Sequence, residues 1–324
     1  MSQQYTEILK ETSRAFYLSL VVLPRGAREP LSLAYLLARA ADTVADSPTE
    51  HPSRRAPTLR RMQSALQNPS GAHQEDLKLF RPEKAGERKL LELYPHLPAL
   101  LEEVEPSLRQ LIQDVVSTLI EGMLWDQELF HQGPGAAGLS AEQLERYTYL
   151  VAGCVGPFWS KICAWTDPRL AHLTAEDERA VEFGKALQWT NILRDASKDQ
   201  LECRHYLPSL ESAALIPAFL TGSHRALRAF ESACGYPALF PRFYIRHRLA
   251  VFLPLVLGLR TLELLFLAGG PRPEQRIKVS RPEVFGWIAA GLFAGCNDTV
   301  LKSILRYLLG RAQRALQRME NDLA

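Results

Sequence analysis

GKALQWTNILRDASKDQ, residues 184–200, reads as a helix that carries two carboxylates one turn apart in an otherwise apolar setting. Counting back from Asp199, the residues Asp195, Asn191, Gln188 and Gly184 follow at spacings of four, four, three and four. Positions three and four apart share a helix face, so these residues form a polar stripe several turns long. Phe183, Ala186, Leu187, Ile192 and Leu193 occupy the other faces, which suits a helix packed in a core. The same device recurs upstream in ARAADTVADSP, residues 38–48. There Asp46, Asp42, Arg39 and Tyr35 follow at spacings of four, three and four, flanked by Leu33, Leu36, Leu37 and Val44.

Like charges at i and i+4 cost an exposed helix roughly 0.2–0.5 kcal/mol. Enclosing them costs far more unless a cation compensates. The pattern therefore asks for a positive partner. Magnesium suits it, because that ion takes hard oxygen ligands and is commonly held by a couple of carboxylates together with phosphate oxygens. Two aspartate pairs predict a rim that grips a diphosphate through bridging metal ions. One pair alone would read as a solvated helix end; two copies, each continued by a polar stripe, point to a site.

The rest of the chain fits an all-helical protein. Its 324 residues are 47% apolar, enough for a continuous core. Apolar residues recur at three and four around 5–22, 29–46, 105–130, 141–165, 175–200, 245–268, 283–296 and 299–320, and no alternating strands stand out. Helix starts are expected at Ser140, in a capping-box pattern, and at Thr174. The polar, proline-bearing stretch from Ser47 to Glu87 reads as a surface connection with a short helix near Leu59–Leu66. The apolar run Leu249–Gly270 is interrupted by Pro254, Arg260 and Glu263, and reads as a buried helix with a proline break rather than a membrane span. With no composition shift along the chain, residues 1–324 are expected to form one domain.

Lysine and arginine number 38 against 36 acidic residues, a net charge of +2, which argues against nucleic acid as a partner. Five scattered cysteines form no zinc pattern and fit reduced thiols in a cytoplasmic protein. No basic and apolar leader opens the chain.

Four stretches, TSRAFYLSLVVLP (12–24), AYLLARAADTVAD (34–46), YTYLVAGCVG (147–156) and GKALQWTNILRDASKDQLECRHYLP (184–208), resemble the squalene and phytoene synthase family of head-to-head prenyl transferases, in the family's order. The resemblance implies a single all-α isoprenoid-synthase domain with a central cavity. It implies that Asp42, Asp46, Asn191, Asp195 and Asp199 serve magnesium. Thr12, Ser13, Arg14, Arg39, Arg194 and Arg204 would hold diphosphate oxygens, and Gln188 would line the reacting centre. Phe16 and Tyr35 would shield an allylic cation with their ring faces. Tyr147 matches the position that assists proton removal as a cyclopropane closes, and Tyr206 is a second candidate near the diphosphate. The chain departs from the family at Glu202 and Cys203, where relatives often have a glycine- or arginine-rich turn.

The expected activity is condensation of two farnesyl diphosphates to presqualene diphosphate, followed by reduction to squalene with NADPH. DTVAD favours the squalene branch, and the basic residues of RIKVSR (276–281) are a candidate contact for the nucleotide. No GxGxxG motif follows a strand, so a Rossmann site is not expected. Alternatives are an enzyme that stops at presqualene diphosphate, hydroxysqualene or dehydrosqualene, a phytoene synthase using geranylgeranyl diphosphate, or a non-catalytic relative of the fold. The last would be expected to have lost its aspartates, and both pairs are present. Gly153 and Gly156 in VAGCVG mark either a close helix contact or a local kink. The amphipathic segment 301–324 is expected to close the domain of a monomer, with peripheral contact at the inner face of a membrane as a second expectation.

Overall fold

The computed structural model describes residues 3–47, 52–69, 77–131, 138–209, 211–271 and 277–323, apart from the side chains of residues 3, 4, 14–16, 52 and 131. The long helices, in chain order, are α1 (Gln3–Val21), α2 (Arg25–Ala45), α3 (Pro52–Gln67), α4 (Ala85–Leu93) and α5 (Pro106–His131). They continue with α6 (Ala141–Thr148), α7 (Val155–Thr166), α8 (Asp177–Leu201), α9 (Leu215–Ala233), α10 (Ile245–Leu267), α11 (Arg281–Ala294) and α12 (Asp298–Leu323). Short 3-10 turns link several of them, and no strand occurs among the described residues.

The chain divides into two compact units, Met1–His131 with Pro157–Ala175, and Gln132–Gly156 with Glu176–Ala324. In the first, α2 lies along α5 and α3, and α4 packs on α1. Leu33, Leu36, Leu37, Ala40 and Val44 give α2 its buried stripe, and Ile112, Val116 and Ile120 give α5 its own. In the second unit, α8 packs against α9 and α10, and α10 against α11 and α12. Leu301, Leu305, Leu308 and Leu316 are buried, so α12 closes this unit through the apolar face that the sequence singled out.

Several boundaries differ from expectation. The helix expected over 141–165 is three segments: α6 opens with the predicted Ser140 capping box, then a π-helical turn over Tyr149–Gly153 precedes α7. Thr174 does not cap α8. Its hydroxyl donates to Ala171 O, 2.8 Å, within a 3-10 segment Pro168–Glu176, and α8 begins after it without a side-chain cap. The surface connection contains sixteen-residue α3, longer than the short helix expected there, and its end already forms the first turn of α4. Pro254 does not break α10, which runs unbroken through it. By length and composition α10 could cross a membrane, and 78% of its most apolar window is buried within the protein.

Candidate functional site

The second predicted acidic stripe lies wholly on α8 of the second unit, and the first lies on α2 of the first unit up to Asp42. On α2, Arg39 is half-buried and donates to Asp42 and, at 2.5 Å, to Glu87 Oε1, while Lys84 Nζ reaches the same oxygen at 2.7 Å. Burial disfavours the Arg39 charge, and Asp42, Tyr35 and Glu87 more than restore it, so the guanidinium stays firmly ionised. Its Nε is buried without a hydrogen-bond partner. Glu87 was not found from sequence, because it stands on α4, inside the stretch read as a connection. Asp46 is exposed just past the end of α2, where its backbone N–H donates to Asp42 O, 2.9 Å.

The hydroxyls predicted to meet a diphosphate face inward along α1. Thr12 Oγ1 donates to Ile8 O, 2.8 Å, and Ser13 Oγ donates to Leu9 O. They would bind an anion only by releasing those carbonyls. Tyr35 Oη donates to Thr12 O, 3.2 Å, and burial pushes its phenol up to about 12. The side chains of Arg14 and Phe16 lie outside the described residues.

On α8, Arg194 forks onto Asp195, with Nε 2.8 Å from Oδ1 and Nη2 on Oδ2. Asn191 is exposed and its Nδ2 donates to Gln188 Oε1, 3.4 Å. Asp199 is 9% exposed. Burial pushes its carboxyl up to about 7; Arg204 pulls against that rise and Asp195 adds to it. The chain then reverses through the residue that departs from the family. Cys203 adopts φ 59°, the left-handed conformation usually left to glycine. Its N–H donates to Gln200 O, 3.0 Å, and the Arg204 N–H donates to Asp199 O, 2.8 Å, which together form a Schellman turn. That turn brings the Arg204 guanidinium back to Asp199, 3.4 Å from Oδ1, and onto Glu202.

Tyr147 and Tyr206, far apart in sequence, meet in this second unit. Both are buried, their rings stack at 4.8 Å, and their hydroxyls share a hydrogen bond of 2.9 Å. Tyr147 is held on α6, whose C-terminal end passes into the π-helical turn. Behind that turn the backbones approach closely. A Cβ on Gly184 would lie 2.2 Å from Ala152 O, and one on Gly156 would lie 1.9 Å from Ala180 O. The packing explanation for Gly156 therefore holds, and the π turn supplies the local irregularity as well.

Among the described residues no group of three or more His, Cys, Asp or Glu side chains converges as a metal site. The donors present suit magnesium in one mode, with one or two carboxylates sharing the ion with phosphate oxygens and water. Asp199 supports that fit, since a buried carboxyl held near neutral gains its charge when a cation arrives. No comparable feature suits NADPH in particular. Lys278 and Arg281 are exposed and tied by no ion pair to the groups above, and Arg276 lies outside the described residues.

The chain is 28% identical over 211 residues to the squalene synthase of Schizosaccharomyces pombe, covering 62% of this chain and 43% of that protein. It is 29% identical over 206 residues to the human squalene synthase, covering 62% and 45%. The chain thus spans less than half the length of these curated relatives. Its fold matches a solved complex of TcSQS with the ligand E5700, with a TM-score of 0.74, 19% identity and coverage of 97% and 98%. It also matches a dehydrosqualene synthase in complex with a ligand, with a TM-score of 0.59, 18% identity and coverage of 89% and 93%. Residues 9–283 match the profile of the squalene/phytoene synthase family, and the chain belongs to that family.

Proposed function

We propose that the protein is a magnesium-dependent prenyl transferase that joins two farnesyl diphosphates head to head into presqualene diphosphate, then rearranges and reduces that product to squalene. The family match over residues 9–283 carries the reading. The polar face of α8, with Asp195, Asp199 and Arg204 gathered around one helix end, supports it. In this reading Asp42 on α2 and Asp46 just past its end, and Asn191, Asp195 and Asp199 on α8, would hold magnesium. When bound, the metal neutralises negative charge that develops on the departing diphosphate.

The arginines do the complementary work. Arg39 and Arg194 rest on Asp42 and Asp195, and with those aspartates holding magnesium the two guanidiniums would be free to fork onto phosphate oxygens. Arg204, held beside Asp199 by the Cys203 turn, is placed for the same exchange. As the carbon–oxygen bond breaks, the electron pair leaves with diphosphate. The double bond of the second substrate attacks the allylic carbon, and loss of a proton closes the cyclopropane. In this reading Tyr147 takes up that proton as it passes its own along the hydrogen bond to Tyr206, and the departed diphosphate is the base that finally receives a proton from the phenol pair. The reductive half rests on the likeness to squalene synthases, and no step of it is assigned to a residue. The reading treats residues 1–324 as one catalytic domain of a cytoplasmic monomer.

Incubation of the pure protein with farnesyl diphosphate and magnesium, with and without NADPH, tests the proposal by mass spectrometry. Squalene is expected only with the nucleotide. Presqualene diphosphate or dehydrosqualene accumulating in its presence would remove the reductive half and leave the condensation. Phytoene formed from geranylgeranyl diphosphate, with no product from farnesyl diphosphate, would reassign the substrate. No prenyl product from either would end the reading.

A further inference from the structure

The helix α11 presents an unusual surface. Its inner side is fixed by Gly291, where an added Cβ would lie 2.7 Å from Leu249 Cδ1 and 2.8 Å from Phe252 Cδ1 on α10. Half a turn round, Phe285, Gly286, Ala289, Leu292, Phe293 and Cys296 follow at helical spacing, and all six are exposed. Phe285 is 68% exposed, Leu292 51% and Phe293 81%. A helix on the surface of a protein in water ordinarily turns charges outward. This outward stripe carries none, over a helix of 14 residues, about 21 Å long. An apolar patch of that kind marks a contact surface.

The charges at its two ends say what covers it. At the N-terminal end Lys278 and Arg281 are exposed, with no ion-pair partner among the described residues. The C-terminal end abuts the start of α10, where Arg248 Nη1 donates to Gly295 O, 3.0 Å. Exposed Arg242 stands just before that start with Phe243, which is 94% exposed, and exposed Arg246 lies in the first turn of α10. Glu283 is engaged by Arg260 at 2.5 Å, and Asp298 is shared between buried Arg248 at 2.6 Å and Arg242 at 3.6 Å, so one carboxylate faces two guanidiniums and this end keeps a positive excess. The stripe is therefore apolar along its length and cationic at both ends. A second copy of the chain, docked through the same face, would bring like charges together. An anionic bilayer answers both features, with aromatic side chains below the headgroups and cations on lipid phosphates.

We infer that α11, flanked by Lys278, Arg281, Arg242 and Arg246, docks the protein peripherally on an anionic lipid bilayer. The contact differs from the one expected from sequence, since the apolar face of α12 is spent on the interior. It does not depend on the reading of the prenyl site.

Flotation of the full chain with phosphatidylcholine vesicles, with and without phosphatidylglycerol, tests the inference. Binding is expected to the mixed vesicles and not to phosphatidylcholine alone. Phe285→Ser with Phe293→Ser, and separately Lys278→Glu with Arg281→Glu, should each weaken binding by roughly tenfold or more. Circular dichroism and melting temperature should stay unchanged, because all four side chains are exposed. A wild-type chain that stays in the soluble fraction, or floats equally well in either variant, would overturn it. So would self-association in sedimentation velocity that the phenylalanine variant abolishes, because the face would then belong to a second copy.

Discussion

Asp195 keeps 37% of its side chain exposed while both arms of the Arg194 guanidinium hold it, so the carboxylate is positioned without being enclosed. Replacing it with asparagine keeps an oxygen for Arg194 and removes the charge that a metal needs. Turnover of farnesyl diphosphate by Asp195→Asn should fall by at least roughly 100-fold, with the thermal melt little changed. Retained activity would contradict the metal assignment. Cys203 poses the opposite case, a residue whose backbone and not its side chain matters. Its left-handed conformation costs about 1–2 kcal/mol in a residue with a Cβ, part of which glycine returns through its greater freedom in the unfolded chain. Cys203→Gly should therefore raise stability by up to about 1 kcal/mol, read from urea unfolding. A loss of stability would show that the exposed thiol carries a contact that the turn needs.

Elements of the second unit meet at distances that only glycine permits. With a Cβ on Gly184 falling 2.2 Å from a backbone carbonyl oxygen, α8 cannot give way without moving the π turn. Gly184→Ala should cost about 3 kcal/mol or more and should disturb Tyr147 through the same turn. Gly286→Ala on α11 supplies the contrast, because nothing lies within 4 Å of its added Cβ. It should stabilise by up to about 1 kcal/mol through helix propensity alone. Equal effects in the two melts would refute the packing argument. At this scale the sequence was legible wherever the determinant was local: the Ser140 capping box and the periodic stripes of α2 and α8 could be read directly. It was not legible where packing overrides local preference. α4, at nine residues, owes its helix to neighbours on α1 and α2. α9 is broken to the eye by Pro217 and Gly222, yet Gly222 fits there because an added Cβ would sit 3.0 Å from Trp189.

Across the molecule, charges from distant parts of the chain meet in clusters that no local pattern reports, as Arg39 does with Glu87. Arg225 on α9 likewise binds Glu145 from α6 at 2.5 Å and Glu182 from α8 at 2.7 Å, and Lys185 joins at 2.7 Å from Glu145. For Glu145, burial raises the carboxyl, but hydrogen bonds from Arg225 and Lys185 outweigh it and hold the group below its usual 4.5. Its contribution to stability is thus present above that value and is lost as pH falls through the lower, folded one. Asp199 runs the other way. With its carboxyl raised from 3.8 to about 7, the native state keeps a proton that the unfolded chain has released. That contribution is complete below 3.8 and lost as pH rises through about 7. Without magnesium, stability should accordingly fall on both sides of a mildly acidic optimum. Arg225→Met should lower stability near neutrality and flatten the acid limb. Asp199→Asn should raise stability by on the order of 1–3 kcal/mol near pH 8 and change it little near pH 4. Urea unfolding across this range in a chelator measures both limbs. An Asp199→Asn protein that is less stable than the parent at the alkaline end would mean that the buried carboxylate is already compensated within the chain and has no need of a cation.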